Sequence, residues 1–178
     1  LRSISALFSL FSILVVFFLG KELARNANEG SAIGLIAALL VGINSFHIEY
    51  AQEFRTYSLA FLLTSLSTLS LIKVIKPEGR KCLWAVIYVL VTAASVYAHL
   101  LSLFLIAAQV ITLPIMLLDK NTAKQKFKLL LFCGIAIGLL IMPCLILAYY
   151  SGSGLIDWIA RTTPKAVSDY LNKLSGFK

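Results

Sequence analysis

Residues 83–118 read LWAVIYVLVTAASVYAHLLSLFLIAAQVITLPIMLL, a stretch without Lys, Arg, Asp or Glu. A single helix over this stretch would be roughly 54 Å long at about 1.5 Å per residue. The hydrocarbon core of a bilayer is only about 30 Å thick. The stretch therefore predicts two membrane helices, 83–98 and 100–118, joined by a tight turn near His99.

The chain as a whole is also apolar. All 178 residues together are 60% hydrophobic and 13% charged, whereas a soluble domain keeps about 25% of its residues charged. We therefore expect an all-α integral membrane protein, a polytopic bundle of about six transmembrane helices. The predicted spans are 4–20, 31–46, 57–75, 83–98, 100–118 and 129–150.

The basic residues predict which ends of these helices face the cytoplasm. Segments 21–30, 73–82 and 119–128 hold 2 + 4 + 4 = 10 Lys and Arg residues. The alternate connections, 47–57 and the turn near His99, hold only Arg55. By the positive-inside rule, 47–57, His99 and the tail after Tyr150 face outside a plasma or inner membrane. This distribution explains the net charge of +8 without nucleic acid as a partner.

Two regions are predicted: a bundle over 1–150 and an extracytoplasmic juxtamembrane segment over 151–178. In the latter, Thr163-Pro164 is a typical helix start and predicts a short amphipathic helix on the outer surface. The chain opens at Leu1 without Met, which we interpret as a piece of a longer protein.

One outer connection contains many polar and ionisable side chains. It reads His47-Ile48-Glu49-Tyr50-Ala51-Gln52-Glu53-Phe54-Arg55-Thr56-Tyr57. Ionised groups are costly in the bilayer core and belong at its boundary. The forked donors of Arg55 suit a lipid phosphate, with Glu53 and His99 as candidate ligands of a divalent metal. Alternatively, this is a headgroup-solvated helix in which Glu53 and Arg55 form a surface ion pair.

The sequence of this connection and of its flanks resembles that of a known protein family. Residues 46–59 resemble the motif hIxYxQExRxYsL of GT-C membrane glycosyltransferases, relatives of dolichyl-phosphate-mannose–protein mannosyltransferases and aminoarabinose transferases. Tyr97-Ala98-His99-Leu100 resembles the outer turn of that family. Residues 2–8 and 20–23 are similar to its second helix and following loop.

This resemblance implies a hexosyl or pentosyl transferase that works at the outer face of the membrane. Such enzymes move a sugar from a polyprenyl-phosphate carrier to a protein, lipid or glycan acceptor. Their catalytic base lies in an outer loop that would precede Leu1, so no catalytic residue is assigned and this piece alone is expected to be inactive. The resemblance implies that the substrate-binding residues are Arg55, Glu53, Gln52, Tyr57 and His99.

Two other classes of protein remain open. A transporter or flippase-like carrier of lipid-linked saccharide would use the same outer anion site without chemistry. That class favours inverted repeats and charges near the bilayer midplane. Neither is evident in the sequence, since the polar residues near the midplane are Ser, Thr and one Gln, Gln109. A structural membrane subunit would leave 47–57 without a role.

Overall fold

The chain is almost entirely helical. A computed structural model describes residues 2–24, 27–52, 56–76, 80–116 and 120–151, and over these residues it contains seven helices and no strand. The helices are α1 (Arg2–Leu23), α2 (Ala27–Gly42), α3 (Ser45–Gln52), α4 (Tyr57–Ile75), α5 (Lys81–Ala98), α6 (Ser102–Met116) and α7 (Lys120–Tyr150). The predicted all-α class is confirmed.

The chain divides into two units, 1–144 and 145–178. The first holds α1 to α6 and most of α7. The second is described only over 145–151, so the amphipathic helix expected from Thr163 lies outside the described residues.

Several helices are suited to a bilayer by length and composition. In the described part of the chain, α1, α4, α5 and α7 are long and apolar enough to cross a membrane. The bent pair α2 and α3 would make a fifth span if the two form one span. The described part of α6 is a shorter apolar helix. Over the described residues, four or five of the six predicted spans are thus long and apolar enough to cross a membrane.

The packing of this bundle inverts that of a soluble protein. Large apolar side chains such as Leu10, Leu39 and Phe104 are exposed, the last at 73%. The most buried side chains include the small hydroxyl residues Ser12 and Ser67. Apolar side chains outside and bonded hydroxyls inside are the arrangement that lipid favours.

Two glycines bring α1 and α2 close together. A Cβ added at Gly34 would lie 2.5 Å from the carbonyl oxygen of Phe17, and one at Gly20 would lie 2.9 Å from the Gly34 Cα. At Gly134 and Gly138, whose small-xxx-small spacing permits close approach, an added Cβ would meet no atom of the described residues within 4 Å. The spacing permits close packing without supplying a neighbour.

The helices alternate between two ends of the bundle. We call the first the lysine end, defined by Glu22, Lys73, Lys76 and Lys81. Here the Glu22 carboxylate on α1 bonds to both Lys73 and Lys76 on α4. The Lys73 ammonium also lies 5.9 Å from the ring centre of Trp84, in the first turn of α5. Glutamate and lysine thus join the last turns of α1 and α4.

The opposite end, which we call the histidine end, is defined by His47, Tyr57 and His99. α5 ends there, since His99 adopts an extended backbone with φ −157° and ψ 118°. The turn predicted near His99 is therefore confirmed, even though no Gly or Pro marks it.

Candidate functional site

A short helix, α3, covers the histidine end. The axes of α2 and α3 differ by 60° across a two-residue break. Asn44 lies in this break, and its side-chain Oδ1 accepts a hydrogen bond from the backbone N–H of His47 at 3.1 Å. This is the geometry of an N-cap, which satisfies a donor that the first turn leaves without an intrahelical partner. Asn44 therefore ends the apolar span and starts a new helix in another direction.

His47 connects α3 to the first half of α1. Its Nε2 lies 2.7 Å from the Ser9 hydroxyl and 3.5 Å from the Ser12 hydroxyl. The Ser12 hydroxyl donates to the carbonyl oxygen of Ser9 at 2.6 Å, so Ser12 can only accept from the imidazole. The His47 ring also contacts the Phe61 ring of α4, with centres 5.2 Å apart. His47 therefore holds α3 against two long helices.

Three aromatic rings connect α3, α4 and the end of α5. The ring centres of Tyr50 and Tyr57 lie 4.9 Å apart, and those of Tyr57 and His99 lie 5.4 Å apart. The Ser58 hydroxyl donates to the carbonyl oxygen of Tyr50 at 2.9 Å, which fixes the first turn of α4 to α3. Two segments far apart in sequence, 47–59 and 97–100, thus meet through Tyr57 and His99.

The surroundings of His99 favour one role for its imidazole. The backbone N–H of Leu101 donates to Nδ1 at 3.3 Å. An Nδ1 that accepts a hydrogen bond leaves the proton of the neutral ring on Nε2, which is then a donor. The contact with the Leu101 N–H therefore favours the tautomer of His99 in which Nε2 can donate to an anion or a hydroxyl.

A cavity of about 370 Å³ opens beside these residues. It is lined by Leu40, Val41, Asn44, Phe46, His47, Tyr50, Tyr57, Ser58 and Phe61. Its walls are apolar on the α2 side and carry phenols, an imidazole and a hydroxyl on the α3 and α4 side. Such a cavity suits an amphiphile, because an apolar chain and a polar group can each meet matching walls.

The structure brings together some of the predicted site residues. Tyr57 and His99 are in ring contact, and Gln52 is the exposed last residue of α3. Glu53 and Arg55 lie outside the described residues. Within the part of the chain that is described, no three His, Cys, Asp or Glu side chains are grouped to hold a metal ion. The divalent metal predicted at Glu53 and His99 stays a prediction.

The sequence reasoning missed several residues that build this site, above all Ser9 and Asn44. Ser5, Ser9 and Ser12 recur at three- and four-residue spacing within an apolar stretch, and all three are buried. That spacing indicates one polar face of a helix. Asn44 precedes Ser-Phe-His, and an asparagine before a new amphipathic stretch is a recognised helix start.

Comparison with known proteins adds no further identification. No family model matches the chain, and no curated protein and no solved structure shows significant similarity to it. The family resemblance of 46–59 and 97–100 therefore stays a prediction that experiment has to test.

Proposed function

We propose that the chain is part of a glycosyltransferase that uses a polyprenyl-phosphate sugar at the outer face of a membrane. The contact of Tyr57 with His99 carries this proposal. These two residues belong to the two segments that resemble outer-face segments of GT-C enzymes, and a family site would require those segments to be neighbours.

The chemistry of the histidine end supports binding of a lipid phosphate. His99 Nε2 is arranged as a donor, and Arg55 stands two residues before Tyr57 in the sequence. Hydrogen bonds from such groups to a charged oxygen are worth about 1.5–3 kcal/mol. The cavity beside Tyr57 offers an apolar wall along α2 for the first isoprene units. We therefore assign the carrier phosphate to Arg55 and His99, and the start of its chain to the cavity.

The charge distribution supports an outer location. Lys73, Lys76 and Lys81 lie at the end opposite His99, and positive residues favour the cytoplasmic side. In a transfer at the outer face, the bond between sugar and carrier phosphate breaks and a bond to the acceptor forms. The acceptor proton goes to a base that we expect before Leu1. Polyprenyl phosphate is the leaving group of this transfer, and Arg55 and His99 bind its phosphate as the bond to the sugar breaks.

A carrier of lipid-linked saccharide is the second candidate, and the broken pair α2 and α3 favours it. Discontinuous helices are common at transporter binding sites. A reconstituted full-length protein separates the two functions. A transferase releases sugar-free polyprenyl phosphate only when an acceptor is present, whereas a carrier moves intact donor between leaflets.

The binding site itself can be tested on the 178-residue chain in nanodiscs. The probe is a polyprenyl phosphate with a diazirine beside the phosphate, and cross-linked peptides are identified by mass spectrometry. We expect cross-links in 45–61 and 97–102, and excess undecaprenyl phosphate should remove them. Peptide 14–21 of α1, which ends at the lysine end and lines no part of the cavity, provides the internal control. Labelling confined to that peptide, or labelling that excess carrier does not reduce, would refute the proposed site.

One substitution makes this experiment specific. His99→Phe keeps the ring contact with Tyr57 but removes the Nε2 donor. We expect apparent carrier affinity to fall about tenfold, which corresponds to about 1.4 kcal/mol. Tyr149→Phe, on an exposed ring of α7, is the matched control and should leave affinity unchanged.

A further inference from the structure

A second apolar depression lies between α5 and α7, separate from the histidine end. This open groove has a volume of about 530 Å³. Val86 and Leu90 of α5 and Leu129 and Phe132 of α7 are among its walls. Val86, Leu90 and Phe132 are each more than half exposed. The groove is therefore open to the surroundings of the bundle, where a bilayer supplies hydrocarbon chains.

One mouth of the groove is cationic. Lys81, the first residue of α5, is itself part of the lining. Lys128 is exposed and directly precedes the wall residue Leu129. Glu22, an acidic residue at the same end, is already paired with Lys73 and Lys76. An anion placed at the mouth of the groove would therefore meet the positive charges of Lys81 and Lys128.

The depth of this mouth matches a lipid headgroup. Trp84 lies one turn inside Lys81 on α5, and tryptophan is enriched at the boundary between hydrocarbon and headgroups. The Lys73 ammonium near the Trp84 ring is consistent with a boundary position, since ammonium groups avoid the hydrocarbon. Along α5, the apolar wall of the groove thus follows directly after the charged residue Lys81.

We propose that the groove between α5 and α7 binds an anionic phospholipid. One acyl chain lies along Val86, Leu90 and Phe132, and the phosphate lies at Lys81, with Lys128 as the second positive charge. We choose an anionic lipid as the occupant because the mouth of the groove is positively charged. A zwitterionic lipid has the same acyl chains but no net charge to attract it there. This site requires no glycosyl transfer and is independent of the proposed function.

The test uses the purified chain in micelles, with bound lipid counted by native mass spectrometry. Dioleoyl phosphatidylglycerol and dioleoyl phosphatidylcholine share their chains and differ in charge. We expect the anionic lipid to bind about fivefold more tightly for each of the two lysines, roughly 25-fold in all, since about 1 kcal/mol per lysine corresponds to about fivefold. Equal affinities would overturn the proposal.

Variants separate the two parts of the site. Lys81→Ala and Lys128→Ala should each weaken phosphatidylglycerol binding about fivefold. Lys21→Ala, on an exposed lysine of the same end that is not in the lining, should leave binding unchanged. If all three variants bind alike, the phosphate is not at this mouth.

The role of the groove is tested by changing the protein and, separately, by changing the lipid. Ala136→Trp fills it from the α7 side and should abolish the preferential binding, whereas Ala32→Trp on an exposed position of α2 should not. Dihexanoyl phosphatidylglycerol carries the same headgroup on short chains and should bind more weakly than the dioleoyl lipid to the unchanged protein. Binding that ignores chain length would exclude the groove even if Ala136→Trp failed to fold.

Discussion

The imidazole of His47 on α3 lies 2.7 Å from the Ser9 hydroxyl on α1. This bond joins a helix of eight residues to one of 22. A short helix has little stability of its own, so α3 depends on such contacts for its position. This bond therefore helps to place α3, whose Tyr50 lines the cavity.

The first prediction concerns that bond. A double-mutant cycle with Ser9→Ala and His47→Leu should give a coupling energy of about 0.6 kcal/mol and at most about 1.7 kcal/mol, the average and the maximum measured for hydrogen bonds between membrane helices. Denaturation in mixed micelles supplies the four free energies of unfolding. Ser3→Ala, on an exposed serine of the same helix, should show no coupling with His47→Leu. Additive effects of Ser9→Ala and His47→Leu would mean that the bond does not hold α3.

A second prediction concerns the polar network inside the bundle. The Gln109 amide accepts from Tyr88 at 3.0 Å and donates to Ser67 at 3.2 Å, and Ser67 lies 2.7 Å from Thr92. Gln109→Leu leaves two buried groups without this partner, so we expect a loss of about 1–3 kcal/mol in the free energy of unfolding. Thr64→Val is the control, because the Thr64 hydroxyl bonds to a carbonyl of its own helix. Equal stability of the two variants would contradict this role of Gln109.

A third prediction compares two glycines. Gly34→Ala places a Cβ 2.5 Å from a backbone oxygen of α1, and relieving that clash should cost about 1–3 kcal/mol. Gly134→Ala meets no atom within 4 Å, and alanine is the better helix former by up to about 1 kcal/mol. Thermal unfolding should therefore show a lower midpoint for Gly34→Ala and an unchanged or higher one for Gly134→Ala. The reverse order would contradict the close approach of α1 and α2.

These cases show what the sequence could and could not predict. Apolar length and flanking charge predicted α4 over Tyr57–Ile75, the bounds that the structure shows, and ended α5 at Ala98. Hydropathy reports which segments prefer lipid but not which helices touch. The neighbour of Gly34 and the bond from Ser9 to His47 are consequences of three-dimensional packing.

Boundaries were harder to predict where polar residues continue a helix. α7 is helical from Lys120, ahead of the apolar span predicted over 129–150, because lysine and glutamine are good helix formers outside the bilayer. Conversely, the predicted span over 31–46 ends early, since Asn44 caps α3 in a new direction. In both cases local helix chemistry outweighed the apolar pattern.

A fourth prediction tests the orientation in the membrane. Cys82 is exposed at the lysine end, so an impermeant maleimide should leave it unlabelled in intact cells and label it after permeabilisation. Ala51→Cys, introduced on α3 in a protein without its other cysteines, should be labelled in intact cells. Labelling of Cys82 together with protection at position 51 would invert the orientation and remove the outer site.

The central claim is a phosphate site at the histidine end, and Arg55 tests it most directly. Lysine keeps the charge of arginine but not its forked donors. In the full-length form of the proposed transferase, we expect Arg55→Lys to weaken apparent affinity for a polyprenyl-phosphate donor about ten- to a hundredfold, while acceptor affinity changes little. Arg80→Lys, on the exposed arginine before α5, is the matched control. Donor titrations in which Arg55→Lys, Arg80→Lys and the unchanged enzyme agree within about twofold would contradict the claim and leave Arg55 as a surface residue.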